Sequence, residues 1–304
     1  MIYRVTHSTQ YLYSTPVALC RNEACLLPRE TPRQKCLSSK LQIEPESSDL
    51  RERTDFWGNR VTHFAIQNPH KKLQVTAISD VETSPADPNL LLAGNQLAWE
   101  TMRQRLARER NPEALDALPC RHDSPFIKQS PQLEEYARPS FSPDRPLADA
   151  VSDLMQRIYR DFTYDPGVTT IATPLSEVME TRRGVCQDFA HLGIGCLRAM
   201  GLAARYVSGY LETLPPPGKE RLVGADASHA WFSVYAADAG WIDFDPTNNQ
   251  IAAEQHITVA WGRDFSDVSP LRGVALGGGK PRMVVSVDVA RVPVTMGQFQ
   301  SQST

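Results

Sequence analysis

Cys186 stands in the run Arg183-Gly184-Val185-Cys186-Gln187-Asp188-Phe189-Ala190-His191, just after a glycine turn and at the first turn of an expected helix. Unpaired backbone N–H groups and the positive end of the helix dipole favour a thiolate there. A nucleophile would be put at such a position, although an isolated cysteine is more commonly just a small buried residue. A thiolate nucleophile also needs a base, and the base needs an orienting group. His191 is nearest in sequence, but five helical positions turn it by roughly 140° from Cys186, which suits packing or hydrogen bonding instead. His229 opens a strand in Ser228-His229-Ala230-Trp231, and Asp245 ends the next in Trp241-Ile242-Asp243-Phe244-Asp245-Pro246-Thr247. Paired strands approach to about 5 Å, so a carboxylate on one can hold an imidazole on the other. Asp243 competes for that role: it lies two positions before Asp245 and points to the same face, so alternation alone does not choose between them. Asp245 has the advantage of the strand end beside Pro246, where a loop can leave the carboxylate free to turn. The register that would bring either to His229 is not fixed by sequence.

These side chains need a helix packed on a sheet. Residues 147–159 repeat apolar side chains at Leu147, Val151, Leu154, Met155 and Ile158, one buried helical face. Residues 186–200 form a second helix with Gly201 as its C-terminal cap. Residues 205–211, 230–235 and 241–244 then read as strands, and a helix followed by an antiparallel sheet is an α+β arrangement. Residues 1–85 are different: β-rich runs at 2–5, 10–13, 40–43, 61–66 and 73–78 are separated by Pro, Asn, Ser and Gly, as in an all-β domain. The turn Asp55-Phe56-Trp57-Gly58-Asn59 offers Gly58 and Asn59 as positions that tolerate positive φ. Between the two, residues 86–145 are polar, Pro-rich and partly helical, around 95–109 and 112–117, and read as a connector. The catalytic unit is expected over 146–304, with a C-terminal strand extension at 283–294 whose sheet is undetermined.

Bulk properties narrow the function. The chain has 304 residues, 41% hydrophobic and 22% charged, enough for a real core and for two domains. A formal charge of −3 and scattered Lys and Arg residues argue against a nucleic-acid partner. No basic-then-apolar leader opens the sequence and no stretch of about 18 apolar residues occurs, so the expectation is a cytoplasmic protein that does not engage a membrane. Six cysteines without a CxxC pair suit neither a disulfide-stapled fold nor a structural zinc site. Gly277-Gly278-Gly279 reads as a flexible turn, since no Lys-Ser or Lys-Thr follows it.

The segments 183–192 and 201–210, with His229-Ala230-Trp231 and Phe244-Asp245-Pro246-Thr247, together resemble the bacterial transglutaminase-like superfamily. His7, Tyr11, Tyr13, the 55–59 turn and residues 69–73 look like the N-terminal β domain of these proteins, and 261–268 with 271–274 like their C-terminal stretch. The resemblance implies a papain-like core, with Cys186 as nucleophile, His229 as base and Asp245, rather than Asp243, as the orienting carboxylate. It also implies an aromatic oxyanion donor upstream of the cysteine, for which Tyr164 is the candidate; a tyrosine there could equally be a packing residue.

The chemistry so implied is acyl transfer at a peptide or carboxamide carbonyl through a Cys186 thioester, on a peptide or protein substrate. Hydrolysis is favoured, because water is the solvent and no residues identify a dedicated amine site. The alternatives are amine-dependent cross-linking and a non-catalytic papain-like scaffold whose β domain binds a partner. No EF-hand loop is present, and no metal or other cofactor is expected.

Overall fold

The computed structural model describes residues 1–85, 89, 92, 96–213 and 227–293. Eight positions of the expected connector (86–88, 90–91, 93–95), and Val294 at the end of the expected last strand, lie outside the described residues. No helix among them is long and apolar enough to cross a membrane.

The N-terminal sheet contains β1 (Ile2–Ala24), β2 (Gln34–Glu44), β3 (Asp49–Thr54), β4 (Arg60–Ile66) and β5 (His70–Thr83), in the order β2-β5-β1-β4-β3. The alternation that marks a half-buried strand is clear in β5, where Leu73, Val75, Ala77, Ser79, Val81 and Thr83 are buried. The two short runs read at 2–5 and 10–13 belong to one strand of 23 residues. Its register breaks between Leu12 and Val17, around Pro16, which cannot donate to a ladder.

The helical segment comprises α1 (Trp99–Arg108), α2 (Pro112–Ala117), α3 (Pro131–Ala137) and α4 (Leu147–Asp161). Asn111 and Ser130 cap α2 and α3 by accepting backbone N–H bonds, each followed by proline at the first helical position. Every apolar residue of the α4 stripe is buried. After the short β6 (Thr163–Tyr164), α5 (Leu175–Thr181) and β7 (Arg183–Gly184), the central helix α6 (Cys186–Ala199) begins at the cysteine. It ends in a Schellman motif: Leu202 N–H donates to Leu197 O and Gly201 N–H to Arg198 O, with Gly201 at φ +79°.

The core sheet is antiparallel: β8 (Ala204–Leu211), β9 (Ser228–Ala236), β10 (Gly240–Asp245), β11 (Gln250–Ile251) and β12 (His256–Gly262), in the order β11-β10-β9-β8-β12. Helix α6 lies across β9 and β8, with α3 and α4 behind it. Gly193 of α6 admits Phe232 of β9 so closely that a Cβ there would sit 2.5 Å from the ring. This is the α+β, papain-like arrangement of a cysteine-bearing helix on an antiparallel sheet.

After α7 (Phe265–Val268) the chain returns to the first sheet: β13 (Leu271–Gly277) pairs with the second half of β1 and β14 (Pro281–Arg291) with the first half. The Gly277-Gly278-Gly279 link between them has positive φ throughout and passes the kink of β1 at Pro16. The first and last described strands therefore share one sheet. Two buried amides bind the free edge of β12 as a neighbouring strand would. Gln34 exchanges two bonds of 2.7 Å with the Thr258 backbone, and Asn59 accepts from Trp261 N–H (3.0 Å) and donates to its carbonyl (2.8 Å). In the 55–59 turn only Gly58 takes a positive φ; Asn59 serves as this clamp instead.

Candidate active site

The approach to Cys186 is fixed by glycine and by a carboxylate. Asp188 accepts from Val185 N–H (2.8 Å) and from the Thr169 hydroxyl (2.6 Å), closing the first turn of α6. Its side chain lies so close to Gly184 that a Cβ there would be 2.8 Å from the carboxylate oxygen. Cys186 is partly exposed at the helix tip, whereas Cys20, Cys25, Cys120 and Cys196 are buried.

His229 on β9 pairs with Gly209 of β8. The β9–β10 register matches Phe232 with Phe244 and Ser233 with Asp243, which sets Asp245 opposite Trp231 and diagonal to His229 on the same face. Across that diagonal His229 Nε2 meets Asp245 Oδ2 at 2.8 Å. That bond leaves the other nitrogen, Nδ1, unclaimed by Asp245. Burial by itself would lower the His229 pKa. The Asp245 bond and charge, together with the nearby Cys186, outweigh it and raise the pKa to about 10, so the imidazolium is the favoured form at neutral pH. Asp245 is fully buried, which alone would raise its pKa, yet it is held well below the carboxylate range by donors from His229, His256 and Asn248. Its Oδ1 also accepts from the Thr247 and Asn248 backbone N–H groups.

The competing residues are engaged elsewhere. Asp243 accepts from the Ser233 hydroxyl and lies 3.9 Å from Arg33. His191 accepts from Phe265 N–H through Nε2 and packs between Phe126 and Tyr206, and burial lowers its pKa to about 4. Tyr164, on β6 beside Gly184 of β7, is half exposed with its ring 6.5 Å from Phe189. Its hydroxyl pKa is raised first by burial and then by Cys186.

Two residues of the site were not singled out by sequence. Asn248 donates to Asp245 Oδ2 at 2.8 Å and lies 3.3 Å from His229 Nε2. His256, at the start of β12, meets Asp245 Oδ2 at 3.1 Å. Its Nδ1 accepts from Ala253 N–H, so Nε2 carries the proton and is the donor. His256 rests edge-on against Trp231, and Trp231 crosses β8 over Gly209, where a Cβ would be 2.7 Å from the indole and 2.1 Å from Ile257 O. The only sequence signal for this seat is the glycine within an otherwise bulky strand. The ligand atoms of His229, Asp245 and His256 lie within 4.8 Å of one another, a grouping that could hold a metal ion. They are already joined by two N–H···O bonds, which a metal would have to displace.

Comparison with known proteins agrees with this architecture. Residues 3–82 match the bacterial transglutaminase-like N-terminal region, and residues 134–246 match the transglutaminase-like superfamily core. An uncharacterized protein of Mycobacterium tuberculosis is 45% identical over 298 residues, covering 94% of this chain and 92% of its own. A protein-glutamine gamma-glutamyltransferase of Pseudomonas aeruginosa is 34% identical over 215 residues, which is 65% of this chain but 31% of the longer relative. A crystal structure of a candidate cysteine protease from Cytophaga hutchinsonii shares the fold, with a TM-score of 0.75 over 99% of this chain and 94% of that one, at 22% identity. With residues 3–82 and 134–246 both matched, the chain belongs to the transglutaminase-like superfamily and carries the bacterial form of its N-terminal region.

Proposed function

We propose that this protein is a thiol-dependent acyl-transfer enzyme in which Cys186 is the nucleophile, His229 the acid–base and Asp245 the orienting carboxylate. The observation that carries the reading is the His229 Nε2 to Asp245 Oδ2 bond of 2.8 Å, which leaves Nδ1 for the thiol. The thiolate attacks a peptide or carboxamide carbonyl and forms a C–S bond. The oxyanion accepts from the Cys186 backbone N–H, with the Tyr164 hydroxyl as the proposed second donor. The imidazolium gives its proton to the departing amine or ammonia as the C–N bond breaks. Water, deprotonated by the neutral imidazole, then cleaves the thioester, releases the acid and restores the thiol.

Hydrolysis is the favoured outcome because water is abundant and only a dedicated amine site competes with it. The amine-accepting alternative draws support from the Pseudomonas aeruginosa relative, whose name specifies glutamyl transfer. A peptide library incubated with and without a primary amine and read by mass separates the readings. Cleavage or ammonia loss that is unaffected by the amine supports hydrolysis, and amine addition supports transfer. No product in either arm that depends on Cys186 would overturn acyl transfer itself.

A further inference from the structure

Among the described residues two arginines are buried, Arg198 and Arg205, and their surroundings differ. Arg198 is fully buried and its guanidinium donates to Cys120 O, Ser124 Oγ, Ala204 O and Arg263 O. Arg205 on β8 is 8% exposed, its Nε has no partner, and no hydrogen bond or ion pair joins its guanidinium to any described residue. What surrounds it is aromatic: its central carbon lies 3.7 Å from the Trp261 ring centroid and 4.2 Å from that of Trp241. Burial lowers its pKa first; the Asp243 charge nearby supports the cation, and Arg29, at 3.1 Å from the Trp261 centroid, opposes it more weakly. The two rings and Asp243 offset part of the cost of taking the guanidinium out of water, but its Nε still lacks a hydrogen-bond acceptor.

The guanidinium lines a cavity of about 770 Å³ where loops of the N-terminal sheet meet β8, β9, β10 and β12. That volume is within the range of roughly 300–1,000 Å³ typical of small-molecule sites. Trp57, Trp241 and Trp261 give it apolar walls, and the Tyr235 hydroxyl, also on its lining, is buried without a partner. Cys186 is not among the lining residues, so the cavity is separate from the thiol.

We propose that this cavity binds a small monocarboxylate with an aromatic or aliphatic body, its carboxylate on Arg205 and its body against Trp57. A planar guanidinium matches a carboxylate with two parallel N–H···O bonds. Glu113, Asp116, Asp243 and Glu254 line the cavity beside Arg29, Arg33 and Arg205, so little net positive charge is on offer, which favours a monoanion over a dianion such as phosphate. His256 lines the same cavity and donates to Asp245, so the bound carboxylate would sit beside a group that orients the candidate catalytic histidine.

Tryptophan fluorescence and calorimetry on the full chain test this, with phenylacetate as the probe and phenylacetamide and inorganic phosphate as controls. Saturable binding of phenylacetate is expected, weaker by about tenfold or more for both controls. Arg205→Lys weakens it by a similar factor, Trp57→Ala at the cavity wall weakens it while leaving the guanidinium in place, and Cys186→Ala leaves it unchanged. Equal binding of phenylacetamide, tighter binding of phosphate, loss of binding in Cys186→Ala, or no saturable binding overturns the proposal. Should Arg205→Lys fail to fold, the Trp57→Ala comparison decides, and unchanged affinity there overturns it.

Discussion

Asp245→Asn is nearly isosteric, yet the site leaves no orientation for an amide. Oδ2 accepts three donors, from His229 Nε2 (2.8 Å), His256 Nε2 (3.1 Å) and Asn248 Nδ2 (2.8 Å), while Oδ1 accepts two backbone N–H groups at 3.0 and 3.3 Å. An amide turned with its oxygen toward the histidines sets its NH2 against the Thr247 and Asn248 amides, and the reverse sets it against both imidazoles. Each donor stranded in a buried site costs about 1–3 kcal/mol, so a stability loss of about 2–5 kcal/mol is expected. The chemical effect is separate. With Asp245 neutral, the His229 pKa falls from about 10, because the Asp245 share of the support for the imidazolium is lost while burial still opposes the charge. The imidazolium is then depleted at a lower pH than in the wild type. With the misplaced tautomer added, the loss in acyl transfer is expected at about 10²–10⁴-fold. The assay is the rate of Cys186 alkylation by iodoacetamide, read by intact mass between about pH 5 and 11, with thermal melts recorded alongside. The wild type should hold its imidazolium-dependent behaviour up to about pH 10, and the variant should lose it at a lower pH. A folded variant with an unchanged rate and an unchanged upper break would contradict the role given to Asp245.

Other predictions follow from the same geometry. His229 is protonated more readily in the folded state, so its stabilising contribution is complete below about pH 6.5 and is lost as pH rises through about 10; the melting temperature should fall across that window, and His229→Ala should flatten the fall. Asp245, held low, contributes in the opposite sense: its share is complete above the ordinary carboxylate range and lost in acid, so Asp245→Asn should be relatively less sensitive to acid unfolding. Gly209→Ala would put a Cβ 2.1 Å from Ile257 O and 2.7 Å from Trp231, backbone and packed indole that cannot easily yield; a loss of about 2 kcal/mol or more in chemical denaturation is expected, with reduced activity through displaced His256. Asn59→Ala removes the clamp on Trp261, and denaturant titration should show a loss of about 1–3 kcal/mol.

What the sequence revealed was local. The helix tip at Cys186, the stripe of α4 and the strand ends bearing His229 and Asp245 depend on neighbours a few positions away, and periodicity reports them. The residues alone left Asp243 and Asp245 open and the resemblance named Asp245; the register that sets Asp245 diagonal to His229, through the Phe232–Phe244 pair, exists only in three dimensions. The sheet joined by residues 283–294 was not legible, because an alternating valine run marks a strand without naming its partner, here the first half of β1. Gln34, Asn59 and His256 were missed for a related reason. Each acts on backbone or carboxylate groups brought near by packing between segments far apart in the chain.

The structure also sharpens the test of the nucleophile. Cys120 and Cys196 are buried and burial raises their thiol pKa values to about 11 and 12, so they would stay unlabelled whatever the state of Cys186. Cys36, partly exposed like Cys186, is the proper reference. The most direct measurement is competitive iodoacetamide labelling at near-neutral pH, mapped by peptide mass spectrometry in the wild type and in His229→Ala. Cys186 is expected to react faster than Cys36 by about tenfold or more, and the advantage to disappear in the variant. Equal labelling of the two cysteines, or an advantage that survives the loss of His229, would contradict it.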